Sequence, residues 1–231
     1  MWRQAGYVRS LAMAAGRCRR EFRRYGKARI LEIPPATLLV LLLLSPAIGK
    51  SAVEHSGIHE TVIAGDYFGA GANASLRSAV DGDAFIAGAQ VELNKPVNGD
   101  ALLAGGGVLI SDRVGGDLYA GGGSLSIDAP VAGNARLAGG RVEITRRGQV
   151  AGKTTLVGGR VTMRGKAGRQ LTVFGEHVTL DGDVGGNVTI ASRTLSIGPN
   201  ARVSGRLTYR GSTPAQADPA AAVSGCTNYL S

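Results

Sequence analysis

From residue 63 onward, aliphatic and polar residues alternate in short runs, and the runs themselves recur. When the leading aliphatic residue of each recurrence is counted as position 1, aliphatic side chains fall at positions 1, 5, 7, 12 and 14, as in Val184, Val188, Ile190, Leu195 and Ile197. Alternation of period two over short runs predicts strands with one face buried and one solvated. The clearest copies are Val80 to Leu93, Val97 to Ile110 and Val114 to Ile127. Position 1 is taken by Ile63, Val80, Val97, Val114, Val131, Val150, Ala167, Val184 and Val203, at intervals of 17 residues, or 19 after Val131 and after Val184. The extra pair in each long interval is placed at Gly148-Gln149 and at Ala201-Arg202, in turns, where an insertion disturbs no strand.

One unit holds too few apolar side chains to bury a core. Stacked at about 4.8 Å per rung, successive units set position 1 over position 1 and build a continuous aliphatic column. The expected core stack is therefore Ile63, Val80, Val97, Val114, Val131, Val150, Val184 and Val203. Nine coils give an all-β rod roughly 40 Å long. Gly at position 3 and Gly-Gly at positions 9 and 10 mark the expected corners, where glycine supplies left-handed backbone. The predicted organisation is a signal peptide or N-terminal membrane anchor over 1–49, a linker over 50–62, the solenoid over 63–211 and a disordered tail over 212–231, whose run Pro214-Ala-Gln-Ala-Asp-Pro-Ala-Ala-Ala222 reads as linker-like.

Composition supports this division. Thirty-six glycines in 231 residues, without a strict three-residue period, exclude collagen, and 44% hydrophobic residues are too many for a disordered chain. The net charge of +9 suggests nucleic acid, but residues 1–49 carry nine Lys/Arg against two acids, leaving +2 for the remainder. A nucleic-acid binder should carry its basic stripe on the folded domain. The basic lead-in precedes the apolar run Thr37 to Leu44 and then Ser45-Pro46-Ala47-Ile48-Gly49, which fits a cleaved export signal. The alternative is an uncleaved anchor over residues 30–49 with its basic flank held inside. Either reading places the rod outside the cytoplasm, periplasmic or membrane-associated.

Candidate chemistry is sparse. The glycine runs lack the helix that a phosphate-cradling loop requires; Gly105-Gly106-Gly107 leads straight into Val108-Leu109-Ile110. A left-handed hexapeptide β-helix is disfavoured because its six-residue aliphatic spacing breaks at Glu92, and His177, the rod's one histidine, reads as an exposed strand residue. His55 and His59 precede the first coil with Gly57 between them and read as linker. Cys18 and Cys226 fall outside the coils, and aromatic platforms for sugar look lacking. No catalytic residue and no cofactor is expected. The single hint of a site is position 4, where Asp66, Asp83, Asp100 and Asp117 stack before giving way to Asn134, Lys153, Gln170, Asn187 and Arg206. Such carboxylates repel one another. A hard cation such as Ca²⁺ would relieve this, but the expected role is corner capping through side-chain to backbone hydrogen bonds, with no metal.

The recurring Val-x-Gly-Asp, Ala-Gly-Gly and Val-x-Ile elements at 17-residue spacing, over about 150 residues, resemble the bactofilin family of polymer-forming bacterial cytoskeletal proteins. The resemblance implies a single-stranded right-handed parallel β-helix of triangular section that assembles end to end into filaments without nucleotide, often at membranes. The departure is the leader, which makes this chain look like an exported variant. Independently, open terminal coils expose strand edges and core ends, and no cap is evident. Charge is divided too, at −6 over residues 50–130 and +8 over 131–231. The leading expectation is a self-assembling scaffold of the cell envelope, its partner another copy of itself and no nucleic acid. The other readings are a monomeric envelope-associated binding or adhesion rod and, last, a transferase or lyase on a solenoid.

Overall fold

The computed structural model describes residues 59–230, and every regular element among them is a strand. The chain winds as a β-solenoid. Its long strands begin with β2 (Asp66–Ser75), continue through Ala84–Leu93, Ala101–Ile110, Leu118–Ile127, Ala135–Ile144, Thr154–Met163, Leu171–Leu180 and Val188–Ile197, and end with Leu207–Arg210 and Thr227–Leu230. These ten rungs, coils 1 to 10, pair parallel in unbroken sequence. A second ladder joins position 1 of successive coils, Val80 to Val97 to Val114 to Val131, then to Val150, Ala167, Val184, Val203 and Val223.

The aliphatic pattern explains this winding. Positions 5, 7, 12 and 14 point inward, as do Ala135, Leu137, Val142 and Ile144, all at most 2% exposed. The inward parity switches from odd to even between positions 7 and 12, so each long strand must turn a corner in between. Pairing duly skips position 10: Gly88 pairs Gly105 and Gln90 pairs Gly107, while Ala89 and Gly106 stay out of the ladder. Val80, Val97, Val114, Val131, Val150, Val184 and Val203 are all buried, closing the core from the third side.

Four details differ from the sequence-based expectation. Ile63 is 61% exposed and outside the core stack. It belongs to β1 (His59–Ile63), which doubles back on β2 as an antiparallel hairpin, Ile63 opposite Asp66. The linker thus ends in a strand, and the first coil is capped. Positive φ occurs, among the described residues, at Ala64 (54°) and Gly65 (96°), in that hairpin turn. The other corner glycines are needed for closeness rather than handedness: a Cβ on Gly122 would lie 2.0 Å from the carbonyl oxygen of Gly105 on the rung below. The extra residues after coils 5 and 8 are Arg146-Arg147 and Pro199-Asn200, both exposed. Gln149 and Arg202 keep their ladder places, pairing Pro130 and Asp183.

The fourth difference is the tail. Residues 212–230 continue the solenoid: Ser196 pairs Gln216, Arg202 pairs Ala222, Val203 pairs Val223 and Leu207 pairs Thr227. Ala215, Ala217, Ala221 and Val223 pack partly buried against the core. The coil is hidden in the sequence because alanines replace the larger aliphatics and the interval from Val203 lengthens to 20 residues. Backbone pairing on the preceding rung supplies what side-chain hydrophobicity lacks. The leader over 1–49 and residues 50–58, including His55, lie outside the described residues. Among the described residues no helix is long and apolar enough to cross a membrane.

Candidate functional site: the position 4 ladder, the outer faces and the rod ends

Position 4 lies at the corner after the short strand, where the chain turns back into the long sheet. Oδ1 of Asp66 accepts the backbone N–H of Asp83 at 2.8 Å, Asp83 that of Asp100 at 2.7 Å, Asp100 that of Asp117 at 2.6 Å and Asp117 that of Asn134 at 2.7 Å. The structure therefore joins the four aspartates in one ladder, each carboxylate tied to the rung above. Asn134 and Asn187, which the sequence reading passed over, do the same with amide oxygens, accepting from Lys153 and Arg206 at 2.9 Å.

This ladder and the backbone of the rung below together account for glycine at position 3. A Cβ on Gly82, Gly99, Gly116 or Gly133 would stand 2.0 to 2.3 Å from the Oδ1 of the aspartate below. Arg169 occupies position 3 of coil 7, directly above the rung whose position 4 is Lys153, where no such acceptor projects. The signal was present in the sequence as a correlation between neighbouring repeats rather than within one.

The last aspartate is electrostatically distinct. The Asn134 backbone N–H holds the Asp117 carboxyl below the usual carboxylate range; burial opposes this, and the Asn134 amide and Arg136 guanidinium add to it. A depressed folded value means that the stabilisation is complete above the unfolded value, about 3.9, and is lost as pH falls through the folded one. Asp117→Asn retains an acceptor for the Asn134 N–H, as Asn134 shows, but removes the charge, so it is expected to lose that part of the stability at pH 7 and to flatten the acid dependence below about pH 4. Asp117→Ala strands the Asn134 N–H and is expected to cost about 1 kcal/mol. Urea midpoints at pH 7 and pH 3 check both.

Among the described residues no group of three or more His, Cys, Asp or Glu could hold a metal ion. His59 lies on β1, and His177 is exposed at position 11 with Nδ1 2.8 Å from Thr194 Oγ1. A shallow depression of ≈ 570 Å³ crosses coils 1 to 4 where positions 11 and 13 carry small side chains such as Gly107, Ser124 and Ser126. Glu92 is the one ionisable group on its wall, in register with Ser75 on the neighbouring rung.

Aromatic side chains are present on the outer surface after all. In-register pairing lines up Phe68, Phe85, Leu102 and Tyr119 at position 6 of coils 1 to 4. The rings of Phe68 and Phe85 are stacked, with centroids 4.9 Å apart and planes 5° apart. Arg136 continues the column and lies over Tyr119, 5.2 Å from its centroid.

The two ends of the rod are unlike. At the first, Tyr67 spans the space above Gly69, and its hydroxyl donates to Glu60 Oε2 of β1 at 3.1 Å. Glu60 is in turn bridged to Arg77 at 3.1 Å. At the other, Tyr209 is buried under Tyr229, with ring centroids 5.4 Å apart, and coil 10 forms the outermost rung. Position 5 of each coil donates its N–H to position 4 of the next, as Leu207 does to Cys226 at 3.0 Å. The N–H of Thr227, at position 5 of the last rung, therefore points out of the rod.

These features define the class of the chain as a β-solenoid rod with a closed aliphatic core. No family model, no curated protein and no solved structure matches it.

Proposed function

We propose that this chain is a structural scaffold that self-assembles end to end into filaments at the bacterial cell envelope, without nucleotide, as its resemblance to bactofilins implies. The observation that carries the reading is the parallel, in-register stacking of ten coils, in which each rung serves as the template for the next. A parallel rung with outward N–H and C=O groups is a template for another strand. The basic, apolar leader of the sequence motivates the envelope location. The second reading, a monomeric envelope-associated binding rod, is favoured by the antiparallel β1, which blunts the other end.

Negative-stain microscopy of the full chain, purified without nucleotide across a concentration series, tests the proposal. Filaments are expected. Proline at Thr227 removes an outward N–H without breaking an internal bond, so Thr227→Pro is expected to shorten filaments severely while leaving the thermal midpoint within a few degrees. Discrete short rods from the parent chain at every concentration would move the conclusion to the monomeric reading.

A further inference from the structure

Among the described residues, four of the eight exposed large hydrophobics fall on one face of the rod. Positions 6 and 8 of the long strands point outward together, and there Phe68 (37% exposed), Leu102 (40%), Val157 (43%) and Phe174 (38%) stand in solvent. Through coils 1 to 8 this face carries a single charge, Arg136, and that guanidinium is folded back on Tyr119 and bridged to Asp117 at 3.4 Å. Phe68, Phe85 and Leu102 follow one another in register, unlike the singly scattered apolar exposure normal for a soluble surface. Sugar is a poor occupant, because Phe68 and Phe85 stack on each other and cover the ring faces that a sugar would need.

We infer that a second copy of this chain packs on this face, antiparallel, across a two-fold axis perpendicular to the rod and passing between coils 4 and 5. The pairing is lateral, independent of end-to-end growth. Three observations carry it.

The first is relief. In coils 1 to 4 the ridge is at position 6 (Phe68, Phe85, Leu102, Tyr119), while position 8 holds only alanine or glycine. In coils 6 and 7 the ridge moves to position 8 (Val157, Phe174), while position 6 holds Thr155 and Thr172. A two-fold axis across the rod reverses coil order and preserves the position column, so coil 1 meets coil 8 and coil 3 meets coil 6. Leu102 then faces Thr155, Phe85 faces Thr172, and Phe174 and Val157 fall on Ala87 and Ala104. Away from the Tyr119–Arg136 pair at the axis, each ridge meets a valley, the self-complementarity that an isologous interface demands.

The second is charge. Residues 59–130 hold three Lys/Arg against nine Asp/Glu, and residues 131–230 hold thirteen against five, so the halves carry −6 and +8. Antiparallel packing sets each acidic half beside a basic one, whereas parallel packing would bring like halves together. The third is the one charge on the face itself. With the axis between coils 4 and 5, Arg136 of each copy meets Tyr119 of the other, extending the cation–π contact already made within one chain.

The area is modest. Eight rungs spaced about 4.8 Å apart, about 13 Å wide, cover about 500 Å² per copy, near the lower bound for a specific complex, so a reversible, concentration-dependent dimer is expected.

Sedimentation equilibrium of the full chain tests this, with Thr227→Pro as the background so that end-to-end growth does not contribute. The expected result is a mass that doubles with concentration and stops there. Adding Leu102→Glu is expected to weaken dimerisation at least tenfold, and so is Phe174→Glu. Both sites are exposed, and an unchanged thermal midpoint confirms that the rod is intact. Thr155→Lys added to Leu102→Glu is expected to restore most of the affinity, because the two side chains meet twice across the axis but lie three rungs apart within one chain. A monomer at all concentrations up to about 100 µM, well above the micromolar range of weak specific complexes, overturns the inference. So does a Leu102→Glu variant that dimerises like its parent, and failure of Thr155→Lys to rescue overturns the antiparallel register.

Discussion

Replacing Gly122 with alanine is expected to cost far more stability than the same change at the neighbouring Gly121. The added Cβ would stand 2.0 Å from the carbonyl oxygen of Gly105, 3.1 Å from its carbonyl carbon and 3.3 Å from Leu125 Cδ2. Two of those atoms are backbone of the neighbouring rung, held by parallel pairing on either side, Gly105 to Gly122 and Gly122 to Gly139. No flexible side chain can swing away, so the rungs themselves must part. Overpacking of this kind typically costs 1–3 kcal/mol, and a backbone clash at van der Waals overlap places Gly122→Ala at about 3 kcal/mol. Gly121, one residue earlier, provides the control. Its Cβ would meet nothing closer than 4.0 Å, so Gly121→Ala is expected to leave the urea midpoint almost unchanged.

Truncating Leu156 to alanine has the other large effect. Leu156 is fully buried at position 7 of coil 6, between Leu137 on coil 5 and Val173 on coil 7. Removing three buried carbons from a close-packed column leaves a cavity that flanking rungs cannot collapse into, because their spacing is set by backbone hydrogen bonds. The expected cost is about 2–5 kcal/mol. Its distribution matters as much as its size. Each coil touches only its neighbours, so stability in such a rod is close to a sum of rung and interface contributions. Hydrogen exchange is therefore expected to rise first in coils 5 to 7 and to leave coils 1 to 3 protected. Uniform loss of protection along the rod would instead show that all coils fold as one unit.

The same rod logic connects stability to assembly. A closed solenoid satisfies its backbone internally except at its two terminal rungs, and those differ here: β1 lies antiparallel across one, while the other presents Thr227–Leu230. End-directed growth therefore depends on the fit between unlike surfaces, whereas the apolar face offers a contact that closes after two copies. Thr227→Pro and Leu102→Glu act on these contacts separately, so each can fail without the other.

What the amino-acid sequence determined alone was the repeat and, through it, the fold. Period-two alternation with aliphatics at positions 1, 5, 7, 12 and 14 dictates which side chains face inward, and stacking is the only way such short units bury them; the burial of Val80 through Val203 follows from that pattern. The aspartates of position 4 were legible as a column, since in-register residues must stack. The tertiary structure decided what depends on distance between rungs. Glycine at position 3 answers to an Oδ1 on the coil below, a relation between residues 16 apart that no single repeat displays. Coil 10 forms on a template of paired backbone, so its alanines fold although their side chains give little hydrophobic signal. β1 reverses direction because of the turn at Ala64 and Gly65, and Ile63, aliphatic and in register, is carried out of the core with it. Local pattern sets the inside and outside of each strand, whereas close approach and pairing between neighbouring coils set its ends, its corners and its outer faces.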